Sequence, residues 1–131
     1  MKRVKKEVHV LAIRLFIVCL FILQAVDSNA QRKVLSDEEL VTEEVTKEID
    51  AMFASEDFQK RKNKKFKGVS GTMIVDIGVV QNGKVATFFK VDSEIKNIDF
   101  INFMSDYILA HKFNFKLQKQ QRYKIRYNIT F

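Results

Sequence analysis

The chain of 131 residues contains no proline and a single cysteine. Because proline is absent, no segment has the composition of a stiff, extended spacer between domains. The cysteine, Cys19, lies in an apolar segment near the N-terminus, so the rest of the chain has neither a disulfide framework nor thiol chemistry. These absences exclude a disulfide-stabilised scaffold and a thiol-dependent enzyme.

Side chains that catalyse reactions or bind metals are also scarce. Beyond residue 30 the only histidine is His111, and no Gly-x-Ser-x-Gly nucleophile elbow occurs. Asp92 and Glu94 form a pair in a predicted loop, but no group of Cys, His and carboxylate residues clusters as metal ligands do. We therefore predict a protein that is not an enzyme and that has no catalytic residues, no metal site and no cofactor.

Residues 1–30 are typical of a secretory signal peptide. A basic segment is followed by an apolar run over residues 15–26. Ser28 and Ala30 then occupy the −3 and −1 positions of a cleavage site before Gln31. A retained membrane anchor is the alternative, although such an anchor needs about 20 apolar residues. We predict cleavage and export to a bacterial periplasm, with secretion or surface display as alternatives.

Charge is unevenly divided along the remainder of the chain. Residues 31–59 hold 3 basic and 9 acidic residues, a net charge of −6, whereas residues 60–131 hold 15 basic and 5 acidic residues, a net charge of +10. We expect the acidic segment to fold back on the basic one or both to be solvated, and a basic surface for an anionic partner is the alternative. The basic run Lys60–Lys67 contains only Phe66 for stacking, so we expect no nucleic-acid binding and at most weak contact with an anionic membrane.

Two helices are predicted. The first covers residues 37–62, with Ser36 as N-cap and Glu39 completing a capping box. Its apolar residues at helical spacing are Leu40, Val41, Val45, Ile49, Met52 and Phe53. The second covers residues 98–111, with Asn97 as N-cap, and carries two apolar stripes that predict burial on two sides. The stripes are Phe100, Phe103, Met104, Tyr107 and His111, and Ile98, Ile101, Ile108 and Leu109.

Three strands are predicted, and the first two form a hairpin. Asn82-Gly83 indicates a type I′ turn, which needs positive φ at both central residues. The predicted pairs are Val79 with Ala86 and Ile77 with Phe88, on a face that also holds Met73 and Val75. The last strand covers residues 123–131, and its inward residues are Tyr123, Ile125, Tyr127, Ile129 and Phe131. The order α-β-β-α-β predicts an α+β domain with an antiparallel sheet.

The residues from Gly68 to Phe131 follow an order that one protein family shares. The segment GTMIVDIGVVQNGKVATFFKV is followed by IDFINFMSDYILAHKF, then by FNFKL, and finally by RYKIRYNITF. This order resembles the C-terminal domain of the bacterial energy transducer TonB and its stand-alone periplasmic relatives. The resemblance implies a ββαβ domain with a three-stranded antiparallel sheet over residues 68–131. Residues 31–67 then form a long, amphipathic N-terminal helix and a basic connector.

The resemblance also implies how the protein acts. In the TonB family an exposed sheet edge accepts an extended segment of a partner by β-strand addition. We therefore expect a non-enzymatic module that binds a segment of an envelope protein or an outer-membrane receptor. The expected binding residues at the sheet edge are Tyr123, Lys124, Ile125, Arg126, Tyr127, Asn128 and Ile129. Of these, Lys124, Arg126 and Asn128 point outward and tune selectivity.

Three alternatives stand beside this expectation. In the first, the charged residues of the edge prevent another strand from pairing with it, so that it binds nothing. The edge pairs with its own copy, or the first helix is swapped, in a homodimeric envelope-structural protein. The third alternative is a short, membrane-anchored TonB-like energy transducer that retains residues 1–30; the missing proline-rich spacer favours a free periplasmic domain instead.

Overall fold

The computed structural model describes residues 32–131, together with residues 4, 8–10 and 12–13, which are helical. Residues 1–31 and residues 32–131 are separate units, and the fold described below is that of the second. The predicted signal peptide, with its cleavage site, lies outside the described residues apart from these few helical positions. No helix among the described residues is both long and apolar enough to cross a bilayer.

Residues 32–131 form three helices and five strands. The helices are α1 (Glu38–Ala54), α2 (Glu56–Lys65) and α3 (Ile98–Leu109); the strands are β1 (Lys33–Leu35), β2 (Thr72–Val79), β3 (Val85–Ser93), β4 (Phe115–Leu117) and β5 (Tyr123–Thr130). A three-stranded antiparallel sheet has the order β3-β2-β5, and β1 pairs with β4 in a small parallel sheet. The α+β class and the antiparallel sheet are confirmed, whereas β1 and β4 were not predicted.

The helices and one face of the sheet enclose the core. Alternate residues of β2 and β5 are buried on this face, because side chains of a strand point to opposite sides in turn. Helix α1 packs along β5, and α3 packs along β3. The buried residues that they contribute are Val41, Val45, Ile49 and Phe53 from α1 and Phe100, Met104 and Ile108 from α3. Phe89, Arg126 and Asn128 lie exposed on the opposite, open face of the sheet.

The single helix predicted over residues 37–62 is wrong, because Ser55 interrupts it. Ser55 has an extended backbone and its hydroxyl accepts a hydrogen bond from the Phe58 N–H at 3.3 Å, which starts α2. In one straight helix, Phe53 and Phe58 would lie about 140° apart around the axis. The break brings both rings into the core, with centroids 4.8 Å apart. Ser55 followed by two acidic residues is the capping signal that could have revealed it.

The N-cap of α1 also differs from the prediction. Asp37, rather than Ser36, occupies this position, and its Oδ1 accepts a hydrogen bond from the Glu39 N–H at 2.8 Å. An aspartate here also places a negative charge at the positive end of the helix dipole. Asn97 is confirmed as the N-cap of α3, since its Oδ1 accepts from the Phe100 N–H at 3.1 Å.

The prediction that α3 is buried on two sides is wrong for Ile98 and Leu109, the first and last residues of the second stripe. A single stripe of Phe100, Met104 and Ile108 is fully buried, and it combines residues from both predicted stripes. Ile98 is 70% exposed and Leu109 is 40% exposed. One side of the helix faces the sheet, and Phe103 and Tyr107 pack on Phe58 of α2, with ring centroids 5.6 and 5.1 Å away.

The hairpin between β2 and β3 has a three-residue turn, so the predicted type I′ turn is wrong. Val80 donates its N–H to the Lys84 carbonyl at 3.1 Å, and among the turn residues only Gly83 has a positive φ. Ile77 pairs with Phe88 as predicted. Val79 pairs with Val85 instead of Ala86, because a register shift follows Gly78. Consequently Val85 is buried, whereas Ala86 is exposed.

Alanine at Gly83 should reduce stability more than alanine at Gly68. Both glycines have positive φ, +81° and +85°, so each substitution costs about 1–2 kcal/mol of backbone strain. A Cβ at Gly83 would also overlap the carbonyl oxygen of Phe115, whereas at Gly68 nothing lies within 4 Å. We expect urea denaturation to give Gly83→Ala the lower free energy of unfolding, by about 1–3 kcal/mol. Equal losses would contradict the close approach of the hairpin to β4.

Candidate functional site

The outer edge of β5 is the candidate site, and its geometry follows from the ladder with β2. Gly71 and Phe131 exchange two backbone hydrogen bonds, of 3.1 and 3.0 Å, immediately beyond the ends of the two strands. In an antiparallel ladder, hydrogen-bonded and non-hydrogen-bonded pairs alternate. Odd-numbered residues of β5 therefore direct N–H and C=O groups to β2. The residues whose backbone groups point away from β2 are Lys124, Arg126, Asn128 and Thr130.

The seven residues expected at the edge fall into two sets. Tyr123, Ile125, Tyr127 and Ile129 use their backbone groups within the ladder and direct their side chains to the core side. Lys124, Arg126 and Asn128 have exposed side chains on the open face and outward backbone groups. Only the second set, with Thr130, is positioned to bond an added strand. Sequence reasoning missed Thr130, although the same two-residue alternation includes it.

The two edges of the sheet differ in regularity. All eight residues of β5 pair with β2 without a register shift. The ladder between β3 and β2 shifts register twice, and the shifts leave Ala86 and Val91 unpaired in β3. Bulges of this kind disrupt an edge and reduce its ability to pair with another strand. The β5 edge is therefore the better template for strand addition.

Two tyrosine hydroxyl groups fasten β5 to the preceding segment. Tyr127 donates to Asp50 of α1, and Tyr123 donates to the Ser36 carbonyl oxygen at 2.8 Å. Burial, followed by the hydrogen bond to Asp50, raises the pKa of Tyr127 well above its usual value. Both contacts lie on the core side of the strand. Within residues 32–131, no donor or acceptor occupies the outward backbone groups of β5.

An ion pair crosses the open face between β2 and β5. Asp76 and Arg126 are directly opposite each other in the ladder, and Arg126 Nε lies 2.9 Å from Asp76 Oδ1. A second hydrogen bond, from Arg126 Nη2 to Asp76 Oδ2, is 3.2 Å long. The carboxylate is 8% exposed, and the hydrogen bonds from Arg126 lower its pKa. The pair holds the Arg126 guanidinium beside Asp76 on the open face.

A groove of about 470 Å³ is lined by residues of the three helices and of the segment that follows α3. Its lining residues are Met52, Asp57, Arg61, Phe103, Asp106, Tyr107, Ala110 and His111. Tyr107 donates to Asp57 Oδ2 at 2.6 Å, and this hydrogen bond lowers the pKa of Asp57. Arg61 Nε lies 3.2 Å from the same carboxylate. No serine, threonine or cysteine lines the groove, and its one hydroxyl group, that of Tyr107, is hydrogen bonded to Asp57.

His111 belongs to a structural contact beside this groove. Its Nε2 lies 2.9 Å from Glu48 Oε2, and Glu48 Oε1 accepts a hydrogen bond from the Asn114 N–H at 2.9 Å. Glu48 thus joins α1 to the segment that follows α3. Among the described residues, no three His, Cys, Asp or Glu side chains form a group that could hold a metal ion.

Comparison with protein-family models, with curated proteins and with solved structures gave no match. The likeness to the TonB C-terminal domain therefore rests on the sequence segments given above, and it stays a prediction. The site has to be interpreted from its own geometry, which consists of an unshifted strand edge rather than converging reactive side chains.

The Asp76–Arg126 pair should make stability depend on pH in the acid range. Arg126 lowers the folded-state pKa of Asp76 below its ordinary 3.8, so the stabilisation is complete above that value and is lost as pH falls through the lowered pKa. We expect Asp76→Asn to be less stable than the wild type at pH 7 and the difference to shrink below about pH 4. Urea midpoints at several pH values measure this. Asp106→Asn, which removes an exposed carboxylate, is the control, and a difference independent of pH would contradict the assignment.

Proposed function

We propose that this protein is a non-enzymatic interaction module that binds an extended segment of a partner at the outer edge of β5. The observation that supports the proposal best is the unshifted eight-residue ladder of β5, which leaves the backbone groups of Lys124, Arg126, Asn128 and Thr130 pointing outward. Strand addition uses such groups for affinity and alternate side-chain positions for selectivity. In the groove between the helices, Tyr107 and Arg61 are paired with Asp57, which favours a structural role for these side chains.

The energy available from the backbone limits the affinity. Four outward residues, with one N–H and one C=O each, allow at most eight hydrogen bonds to an added strand. At about 0.5–1.5 kcal/mol net for each bond, they contribute about 4–12 kcal/mol. Association costs about 4–15 kcal/mol in lost translational and rotational freedom. Backbone pairing alone therefore supports weak binding, and side chains of the partner decide its strength.

We further propose that the module works in the bacterial periplasm as a stand-alone relative of the TonB C-terminal domain. The leader pattern of residues 1–30 and the absence of cysteine from the rest of the chain support export. The partner in this proposal is a segment of an envelope protein or of an outer-membrane receptor. The three-stranded antiparallel sheet that ends in β5 agrees with the fold that the resemblance implies.

A second copy of the chain is the alternative occupant, because the same regular edge is available on it. In that case the protein is a homodimeric envelope-structural protein. Sedimentation or light scattering at micromolar concentration distinguishes the two, since a strict monomer excludes the homodimer.

A proline at Asn128 should abolish binding without unfolding the domain. Asn128 does not donate to β2, so the substitution removes an outward N–H and blocks the edge while the ladder remains intact. Deletion of residues 127–131 is less suitable, because it removes the core residues Tyr127 and Ile129. We expect Asn128→Pro to reduce capture of envelope proteins at least about tenfold, with a melting temperature close to that of the wild type.

The matched control is Lys90→Pro on the opposite, bulged edge. Lys90 is exposed and pairs with Val75, whose backbone hydrogen bonds go to β5. Capture of the same proteins by the wild type and by Lys90→Pro, but not by Asn128→Pro, supports binding at β5. Equal capture by all three proteins would show that the β5 edge is not the binding site.

A further inference from the structure

The open-face side of the β5 edge carries a row of cations. Lys124 and Arg126 alternate within β5, so their side chains lie on one face of the sheet, whereas Arg122 lies one residue before the strand; all three are exposed. Asp76 neutralises Arg126. Within residues 32–131, Arg122 and Lys124 form no salt bridge. The strand itself contains no acidic residue, so a neighbouring strand meets positive charge on this face.

The core side of the same edge has the opposite charge. Asp50 marks the flank of α1 that lies beside β5, because it accepts the hydrogen bond of Tyr127. Glu39 and Glu43 precede Asp50 at helical spacing and lie on the same flank, and all three are exposed. Lys47 lies beside them. A strand added to β5 would therefore have cations on one side and carboxylates on the other.

We infer that the partner segment is an extended peptide with acidic side chains at every second residue and hydroxyl or basic side chains between them. This inference rests on the proposed binding at the β5 edge. The acidic positions lie on the open-face side near Lys124 and Arg122, the two cations of the row that do not pair with Asp76, and the intervening positions lie beside α1. Each cross-strand pair of opposite charge strengthens binding about 1.4- to 5-fold, so two pairs contribute about 2- to 25-fold.

The same charges oppose pairing with a second copy. In an antiparallel arrangement centred on Arg126, the two copies of this residue are directly opposite each other. In one centred on Ile125, Lys124 is opposite Arg126 of the other copy. In one centred on Tyr127, Lys124 is opposite Thr130 and Arg126 is opposite Asn128, so no pair of opposite charge forms. Like charges directly opposite each other destabilise a strand pair. The edge thus suits an acidic segment of another protein better than a second β5.

The probes for a test are two nonapeptides with blocked ends, one alternating Glu and Thr and the other alternating Lys and Thr. Threonine suits a strand and offers hydroxyl groups to α1. We expect calorimetry at low salt to show at least about tenfold tighter binding of the Glu peptide. The double variant Arg122→Glu, Lys124→Glu should reverse this preference. The control Lys84→Glu, Lys90→Glu makes the same change of charge near the other edge and should leave it unaltered.

A third probe separates this inference from the proposed function. It is the Glu-Thr peptide with N-methyl groups on the amides that face β5, and edge pairing requires that it does not bind. If the N-methylated peptide binds as well as its parent, edge pairing is wrong and only charge attraction is present. If both parent peptides bind equally and N-methylation abolishes binding, edge pairing stands and the charge rule is overturned. Equal effects of the two double variants, or no binding of either peptide at millimolar concentration, also overturn the charge rule.

Discussion

The ladder between β2 and β5 is the constraint on which the rest of the structure depends. It joins residues about fifty positions apart in eight consecutive pairs, from Thr72 with Thr130 to Val79 with Tyr123. Because strand side chains alternate, this register places the buried apolar residues of both strands on one face and the charged residues of β5 on the other. A shift of one residue would exchange the two sets. The same register decides which backbone groups remain for a partner.

An aromatic cluster closes the end of the fold where the ladder finishes. The Phe131 ring lies 5.5 Å from the Phe53 ring and 5.2 Å from the Phe100 ring, between centroids. Phe58 joins the cluster because the chain breaks its helix at Ser55. The last residue, the helix break and the start of α3 thus depend on one another. This mutual dependence explains why the C-terminal strand serves both as part of the core and as the candidate binding edge.

Most charged side chains of residues 32–131 are exposed at the surface, and few of them form ion pairs that connect parts of the fold. Within residues 32–131 the ion pairs are Arg61–Asp57 in α2 and Arg126–Asp76 in the sheet, and the contact of Glu48 with His111 joins α1 to the later part of the chain. The basic run Lys60–Lys67 is largely exposed. The expectation of solvated acidic and basic surfaces therefore describes most of the charge better than a helix folded back on its counter-charges. The uneven charge becomes functionally relevant at β5, where cations and carboxylates lie on opposite sides of one edge.

Local periodicity determined much of the fold. Alternation over residues 123–130 specified a strand and its buried residues, and helical spacing with Asn97 specified α3, because these signals depend on near neighbours. The break at Ser55 had a local capping signal, whereas the shifts opposite Ile74 and Gly78 and the pairing of β1 with β4 depended on tertiary packing. The alternation likewise indicated that β5 is a strand, whereas its place at a sheet edge was expected only from the resemblance to the TonB domain. Strand order is decided by contacts between residues far apart in the chain, and no local pattern records them.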